Sequence, residues 1–267
     1  MTTAMLNQGR PNHSAFSSLV TQSRAELLAL VRDPALIIPT LLFPVMFWVF
    51  FGLPNAQKTT ADGHSVGAYM MASFAMYSVI QTMMFSLGFS IAIERFTGWY
   101  KYQRTTPRRL WVMFVAKLVA NIVVALLALV FLLLIGAWTG GVSLPALTWA
   151  SLVARVLFGA LPLAALGVFI GYVATGPTTA SPILNLIFFP MAFASGLFIP
   201  INTMPAIVQQ IAPFLPAYHG GMLARVAVGV PSASPEWVHG IWLLGFTVVF
   251  LAMAVWAYRR DEGANYH

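Results

Sequence analysis

Six long apolar runs, none with an acidic residue in its interior, alternate along the chain with short polar or Gly/Pro-rich connectors. They cover residues 35–53, 66–93, 111–136, 148–173, 182–199 and 238–258. Each approaches or exceeds the roughly 20 apolar residues needed to cross a bilayer as a helix. Pro39 and Pro44 in the first run are compatible with a membrane helix when neighbours re-satisfy the freed carbonyls. Residues 54–65, 139–145 and 174–181 read as short connectors. The stretch 200–230 is apolar but broken by Pro205, Pro213, Pro216 and the pair Gly220-Gly221. No uninterrupted piece of it is long enough to cross, so it is expected to form short re-entrant helices in the outer leaflet.

Ahead of the first run, residues 1–13 are expected to be a disordered tail. From Ser14 to Asp33, Phe16, Leu19, Val20, Leu27, Leu30 and Val31 fall near helical spacing, with Arg24, Glu26 and Arg32 among them. That suits an amphipathic helix in the membrane interface; the other reading is a frayed start of the first span. Asp33-Pro34 ends it, because proline pushes the preceding residue out of the helical region. The predicted fold is therefore all-α integral membrane: an interfacial helix, a six-span domain over 34–260 and a tail over 261–267. No internal repeat is visible.

Composition sharpens this picture. The chain of 267 residues is 59% hydrophobic and 8% charged, with mean hydropathy +0.81, whereas a soluble domain carries about 25% charged residues. The net charge of +7 sits at the ends of apolar runs, with no soluble domain to present a basic face, which excludes nucleic-acid binding. There is no cysteine, hence no disulfide or thiolate metal site. The five histidines lack metal-ligand spacing, and no Ser-His-Asp set or carboxylate pair offers a catalytic centre. The amino terminus has no basic-then-apolar secretory pattern, so insertion is expected to rest on the first span.

Lys and Arg near the span ends set the orientation. Arg24, Arg32, Arg95, Lys101, Arg104, Arg108, Arg109, Arg259 and Arg260 lie on one side, against Lys58 and Arg225 on the other. An even number of spans then puts both termini in the cytoplasm. Trp48, Trp138, Trp149 and Trp237 fall at the expected outer boundary, Trp99 and Trp111 at the inner one, as aromatic belts do.

The densest polar feature is the basic, aromatic island 94–107, E-R-F-T-G-W-Y-K-Y-Q-R-T-T-P, followed by Arg108, Arg109 and Lys117. Neither it nor any other stretch is a Gly-rich phosphate loop with a following Lys-Ser/Thr, so ATP, if used, is bound by another polypeptide. The island reads as a docking surface for a soluble partner. The alternative is a positive-inside loop holding anionic lipid, which does not call for Glu94, Gly98 and a Thr-Thr-Pro stop. Glu94 is placed to pair with a basic residue of the island or of the interfacial helix, or else to face water.

Charges inside spans are costly and usually functional. Lys117 and Arg155 are both shallow enough to be expected to snorkel to the nearer surface. No span has a mid-membrane Asp or Glu, which argues against an ion-coupled carrier. In the second span Ser73, Tyr77 and Gln81 share one face among Met70, Met71, Met76, Met83, Met84, Phe74 and Phe85. Such a surface suits varied apolar ligands, or simply packing. Ser73, Tyr77, Gln81, Met84, Phe85 and Asn185 form the candidate substrate path. Asn121 and Asn185 could bond across helices for about 0.6–2 kcal/mol, Gly167-x-x-x-Gly171 predicts a close helix contact, and Pro162 and Pro190 predict kinks.

Three groups of residues together resemble a known family. They are Arg32-Asp33-Pro34; Glu94, Gly98, Arg104, Thr106 and Pro107 with Lys117; and Ser195-Gly196, Pro200, Pro205, Pro213, Pro216 and Leu223-Ala224-Arg225. In order and spacing they resemble the type-2 permeases of ATP-binding-cassette (ABC) exporters, from about Ser14 over nearly the whole chain. The departure is Leu223-Ala224-Arg225, where that family more often has Leu and Arg adjacent. The resemblance implies a coupling helix after the second span that docks on an ATPase, with Glu94, Arg95, Gly98, Tyr100, Lys101, Arg104, Thr106 and Pro107 as its residues. It implies that the interfacial helix, with Arg24, Glu26, Arg32 and Asp33, also contacts the ATPase. It implies re-entrant outer helices marked by Ser195, Gly196, Pro200, Pro205, Pro213 and Pro216. It further implies a cytoplasmic ABC ATPase carrying ATP and Mg, a second permease in a homo- or heterodimer, and alternating access across the cell membrane. Hydrophobic small molecules such as drugs or antibiotics are the expected cargo, lipid or glycoconjugate the alternative. Membrane lipids are the remaining expected partner; no cofactor is expected on this chain.

Overall fold

The computed structural model describes residues 15–59, 63–98 and 110–265. Among them the order is α1 (Ala15–Val31), α2 (Pro34–Phe47), α3 (Val66–Phe96), α4 (Leu110–Gly140), α5 (Ala146–Val173), α6 (Pro177–Ala194), α7 (Ala206–Ile211), α8 (Pro216–Ala227) and α9 (Glu236–Asn265). No strand occurs among the described residues; an isolated bridge joins Thr59 and Ser65. Six segments are long and apolar enough to cross a membrane: Pro34–Asn55, Val66–Phe96, Val112–Gly140, Ala146–Val173, Pro177–Ala194 and Glu236–Glu262. The fold is the expected all-α integral membrane one.

The helix α3 is the axis of the molecule. Of its most apolar window 72% is buried, against 17% for the last span, so α3 is enclosed by protein while α9 presents its flank to the bilayer. It packs on α2, α4, α5, α6 and α8. Its closest approach is to α5, where glycines remove the side chains that would hold the backbones apart. A Cβ at Gly167 would collide with the Met84 backbone, and one at Gly171 with the Gly88 carbonyl. The predicted Gly-x-x-x-Gly contact is this seam.

The break between α1 and α2 lies where Asp33-Pro34 placed it. The Asp33 carboxylate accepts from the Ala35 N–H at 3.0 Å and Pro34 occupies the first helical position, a cap that starts α2. Leu30 of α1 packs on Ala120 and Val124 of α4, so the interfacial helix is docked on the third span along one face. Its exposed Phe16 and Val20 lie on the chain's outer surface.

Several boundaries move. Residues 174–181 are not wholly a connector, since the fifth span begins at Pro177, again a proline in the first turn, with Thr179 Oγ1 accepting from the Gly176 N–H at 3.1 Å. It ends at Ala194 rather than near 199, because Gly196 takes a left-handed φ of +73°. The Gly196 N–H bonds to the Phe193 carbonyl and the Leu197 N–H to that of Ala192, closing the helix. The first span runs on past Phe47 through a π-helical turn, Trp48–Gly52, and a 3₁₀ turn, Leu53–Asn55. The third continues to Gly140, and α9 continues through 261–265 instead of leaving a free tail there.

Trp48 is no belt residue. Its indole is wholly buried, seated against Gly52, Gly136 and Gly140, with Nε1 donating to Thr139 Oγ1 at 3.0 Å. Trp138 and Trp237 are exposed as a belt requires. Asn121 and Asn185 bond within their own helices, to the Lys117 and Ser181 carbonyls one turn back, and not across. Between α6 and α9 the broken stretch folds into the 3₁₀ turn Ile201–Thr203, α7, the 3₁₀ turn Ala212–Phe214 and α8, which packs on α3, α5 and α9.

Candidate coupling site

At the end of α3 two adjacent residues reach in opposite directions. Glu94 Oε1 accepts from Lys117 Nζ of α4 at 2.5 Å, and the same ammonium donates to Glu26 Oε2 of α1 at 3.0 Å. Gln22 donates to the other Glu26 oxygen at 3.2 Å. Lys117 is 2% exposed, so its charge is compensated by two carboxylates and not by water. The expected snorkelling of Lys117 is thereby overturned: two acids close to its ammonium make burial tolerable, and the side chain has no need to reach the surface. Among the described residues Glu94 pairs with Lys117 of α4 and not with a base of α1; α1 supplies a second acid to the shared lysine.

Arg95 turns the other way. Its Nη1 donates to the carbonyls of Gly171 and Ala174 at 3.1 and 2.8 Å, satisfying acceptors left open at the end of α5. Its Nη2 pairs with Asp261 of α9 at 2.5 Å, and the guanidinium lies over the Tyr172 ring. Glu94 and Arg95 therefore connect α3 to α1, α4, α5 and α9 at one level. Just beyond, Gly98 at φ +72° terminates the helix, its N–H bonding to the Arg95 carbonyl at 3.2 Å. Tyr100, Lys101, Arg104, Thr106 and Pro107 lie outside the described residues. Arg24 is exposed on α1 and Arg32 just past its end, while Asp33 acts as the cap of α2.

The candidate path residues divide. Gln81 and Phe85 open, with Asp33, Thr40, Ser86 and Ser181, onto a cavity of 240 Å³ between α2, α3 and α6. There Gln81 Oε1 and Ser86 Oγ are buried and have no hydrogen-bond partner among the described residues. Ser73 and Tyr77 are closed off: Ser73 Oγ accepts from Arg225, and the Tyr77 ring packs among Phe47, Phe188 and Phe198. Met84 belongs to the α3–α5 seam, and Asn185 bonds within α6.

A second polar cluster holds the outer segment. Arg225 of α8, 2% exposed, donates to Ser73 Oγ of α3 at 3.4 Å and to the Gly196 carbonyl at 3.2 Å, and lies over Tyr69. None of these partners carries a charge. Ser195 and Gly196 form the turn that offers this carbonyl. Pro200 and Pro205 precede a 3₁₀ turn and α7, and Pro216 opens α8. The Pro213 carbonyl faces His219 Nε2 at 2.8 Å, His219 Nδ1 faces His239 Nδ1 at 2.9 Å, and His239 Nε2 faces Ser232 Oγ at 3.1 Å. A carbonyl only accepts, so His219 donates from Nε2 and accepts at Nδ1, His239 donates from Nδ1, and Ser232 donates to His239. This neutral chain ties α8 to α9. Twenty residues and a turn separate the two histidines, so no sequence spacing announced them. Arg155 reaches Glu236 at the start of α9, at 2.9 Å, with both side chains partly exposed.

Six helices long and apolar enough to cross a membrane, packed round a central helix tied to its neighbours at one end, define a polytopic α-helical membrane protein. Residues 18–229 match the model of the ABC-2 type transporter family, and the chain belongs to that family. It is similar to a protein of Bacillus subtilis (strain 168) named "Putative transport permease YvfS", at 29% identity over 245 residues, covering 91% of this chain and 98% of that one. The chain is thus a multi-pass membrane transport permease subunit of a family that in general works with an ABC ATPase.

Proposed function

We propose that this chain is the membrane-spanning half of an ATP-driven exporter, energised by a separate cytoplasmic ABC ATPase that docks at the island 94–107 and at α1. It pairs with a second permease, sits in the cell membrane with both termini in the cytoplasm, and carries hydrophobic small molecules outward. The observation that carries the reading is the pair Glu94 and Arg95, which link the helix entering the island to α1, α4, α5 and α9. A push on the island would be delivered to four neighbouring helices through charge pairs instead of being lost in a flexible loop. The cavity between α2, α3 and α6, with two unpartnered polar atoms and the Phe85 ring, supports a small amphiphilic cargo over a lipid or glycoconjugate, which 240 Å³ does not hold.

The test is a gentle-detergent pull-down of the tagged protein from its native membranes. The expected result is a stoichiometric soluble P-loop ATPase, absent when residues 99–109 are scrambled. A well-folded preparation that brings no ATPase, together with transport that survives ATP depletion and collapses with an ion gradient, would replace the reading with a secondary carrier.

A further inference from the structure

An apolar cavity of 450 Å³ lies between α3, α4, α5 and α9. The helices α4 and α9 both flank the α3–α5 pair without packing on each other along their length; they meet through Phe114 and Tyr258, whose rings are 5.8 Å apart. The α9 wall of the cavity is the stripe Thr247, Leu251, Val255 and Tyr258. Leu251 and Val255 are also about half exposed, so the cavity opens sideways at these residues, toward the hydrocarbon of the bilayer.

Length and charge point to one occupant. From Thr247 to Tyr258 the stripe rises about 16 Å, close to half of the ~30 Å hydrocarbon thickness, the depth one acyl chain fills. Thr247, Leu251, Val255 and Arg259 follow one another at intervals of four, each turned about 40° from the last, so Arg259 lies one turn beyond Val255 on the exposed edge of the stripe. The stripe thus ends in an exposed arginine at the end of the span. The neighbouring Arg260 is held over the Trp256 ring, 5.6 Å from its centroid, at the same level. Neither arginine is in an ion pair with a carboxylate of the described residues.

We propose that this cavity is a binding site for an anionic phospholipid, with one acyl chain between α4 and α9 and the phosphate at Arg259, supported by Arg260. The site depends on the membrane-spanning fold alone and stands apart from the export reading. Its wall also includes Lys117, the lysine that Glu26 and Glu94 share.

The experiment uses the full-length permease, stripped of native lipid in detergent and offered dioleoylphosphatidylglycerol and dioleoylphosphatidylcholine at equal concentration, with retention read by native mass spectrometry. The wild type retains the anionic lipid over the zwitterionic one by about fivefold or more, the effect of one basic side chain at a membrane surface. Arg259→Gln, an exposed change that leaves the core intact, removes most of that preference. Ala165→Phe, which fills the cavity, lowers retention of both lipids. Glycerol phosphate, a headgroup without chains, does not displace the lipid at matched concentration. Equal retention of the two lipids by the wild type, an unchanged preference in Arg259→Gln, or displacement by glycerol phosphate would overturn the proposal.

Discussion

The two ends of α3 solve the problem of buried charge in opposite ways. At the Glu94 end every charge named has an opposite partner: Lys117 lies between two carboxylates and Arg95 is met by Asp261. At the Ser73 end Arg225 is equally buried but among the described residues is met by a hydroxyl, a carbonyl, a thioether and an aromatic ring, with no carboxylate. Compensated charges resist separation, since pulling one away leaves the other buried alone. An uncompensated cation gains from any movement that admits water. The first end is built to transmit displacement, the second to yield. In the proposed reading the Glu94 end receives the energy input and the Ser73 end opens.

The comparison is broken most severely at Lys117. Lys117→Met strands two carboxylates in the protein, and a loss of about 3–5 kcal/mol is expected, read as a lower midpoint of thermal unfolding in mild detergent. A midpoint equal to the wild type would mean that the triad is not buried as described. Acid comes next. Burial holds His219 down to about 4, from an ordinary 6.5, with the Pro213 carbonyl partly opposing this and His239 adding to it. The folded protein then binds fewer protons than the unfolded one, so this contribution is complete above about pH 6.5 and is lost progressively as pH falls toward 4. Between pH 7 and pH 5 the loss is about 2 kcal/mol, and His219→Gln should flatten that part of the pH–stability curve. The smallest effect is at Arg225. Because no acid depends on it, Arg225→Met should be neutral or stabilising by about 1 kcal/mol, the opposite sign to Lys117→Met. A loss comparable to that of Lys117→Met would show that Arg225 has an anionic partner and would erase the contrast.

What the sequence made legible was local. The six runs, the Asp33-Pro34 break and the Gly167/Gly171 seam each follow from a few neighbouring residues. What it hid was set by distance. Glu26 and Lys117 lie 91 positions apart, and His219 meets His239 across a turn. Composition suggested that a lone lysine in a span would snorkel, because nothing in the third span offers it an acid. Pro177 looked like a connector residue, yet the first turn of a helix accepts proline without losing a hydrogen bond, which moved the start of the fifth span toward the amino terminus. Trp48 fitted a belt by position, and only the glycines of another helix show why it is buried.

The most direct test of the central claim is transport per ATP hydrolysed, measured with the permease and the proposed ATPase reconstituted together in liposomes. Glu94→Gln keeps the shape of the side chain and leaves Glu26 to hold Lys117, so the protein should still insert and still bind the ATPase. Hydrolysis should continue near the wild-type rate while transport per ATP falls about tenfold, and the exchanged pair Glu94→Lys with Lys117→Glu should recover part of it. Wild-type transport per ATP in Glu94→Gln would contradict the account, because the link from island to helices would then run elsewhere.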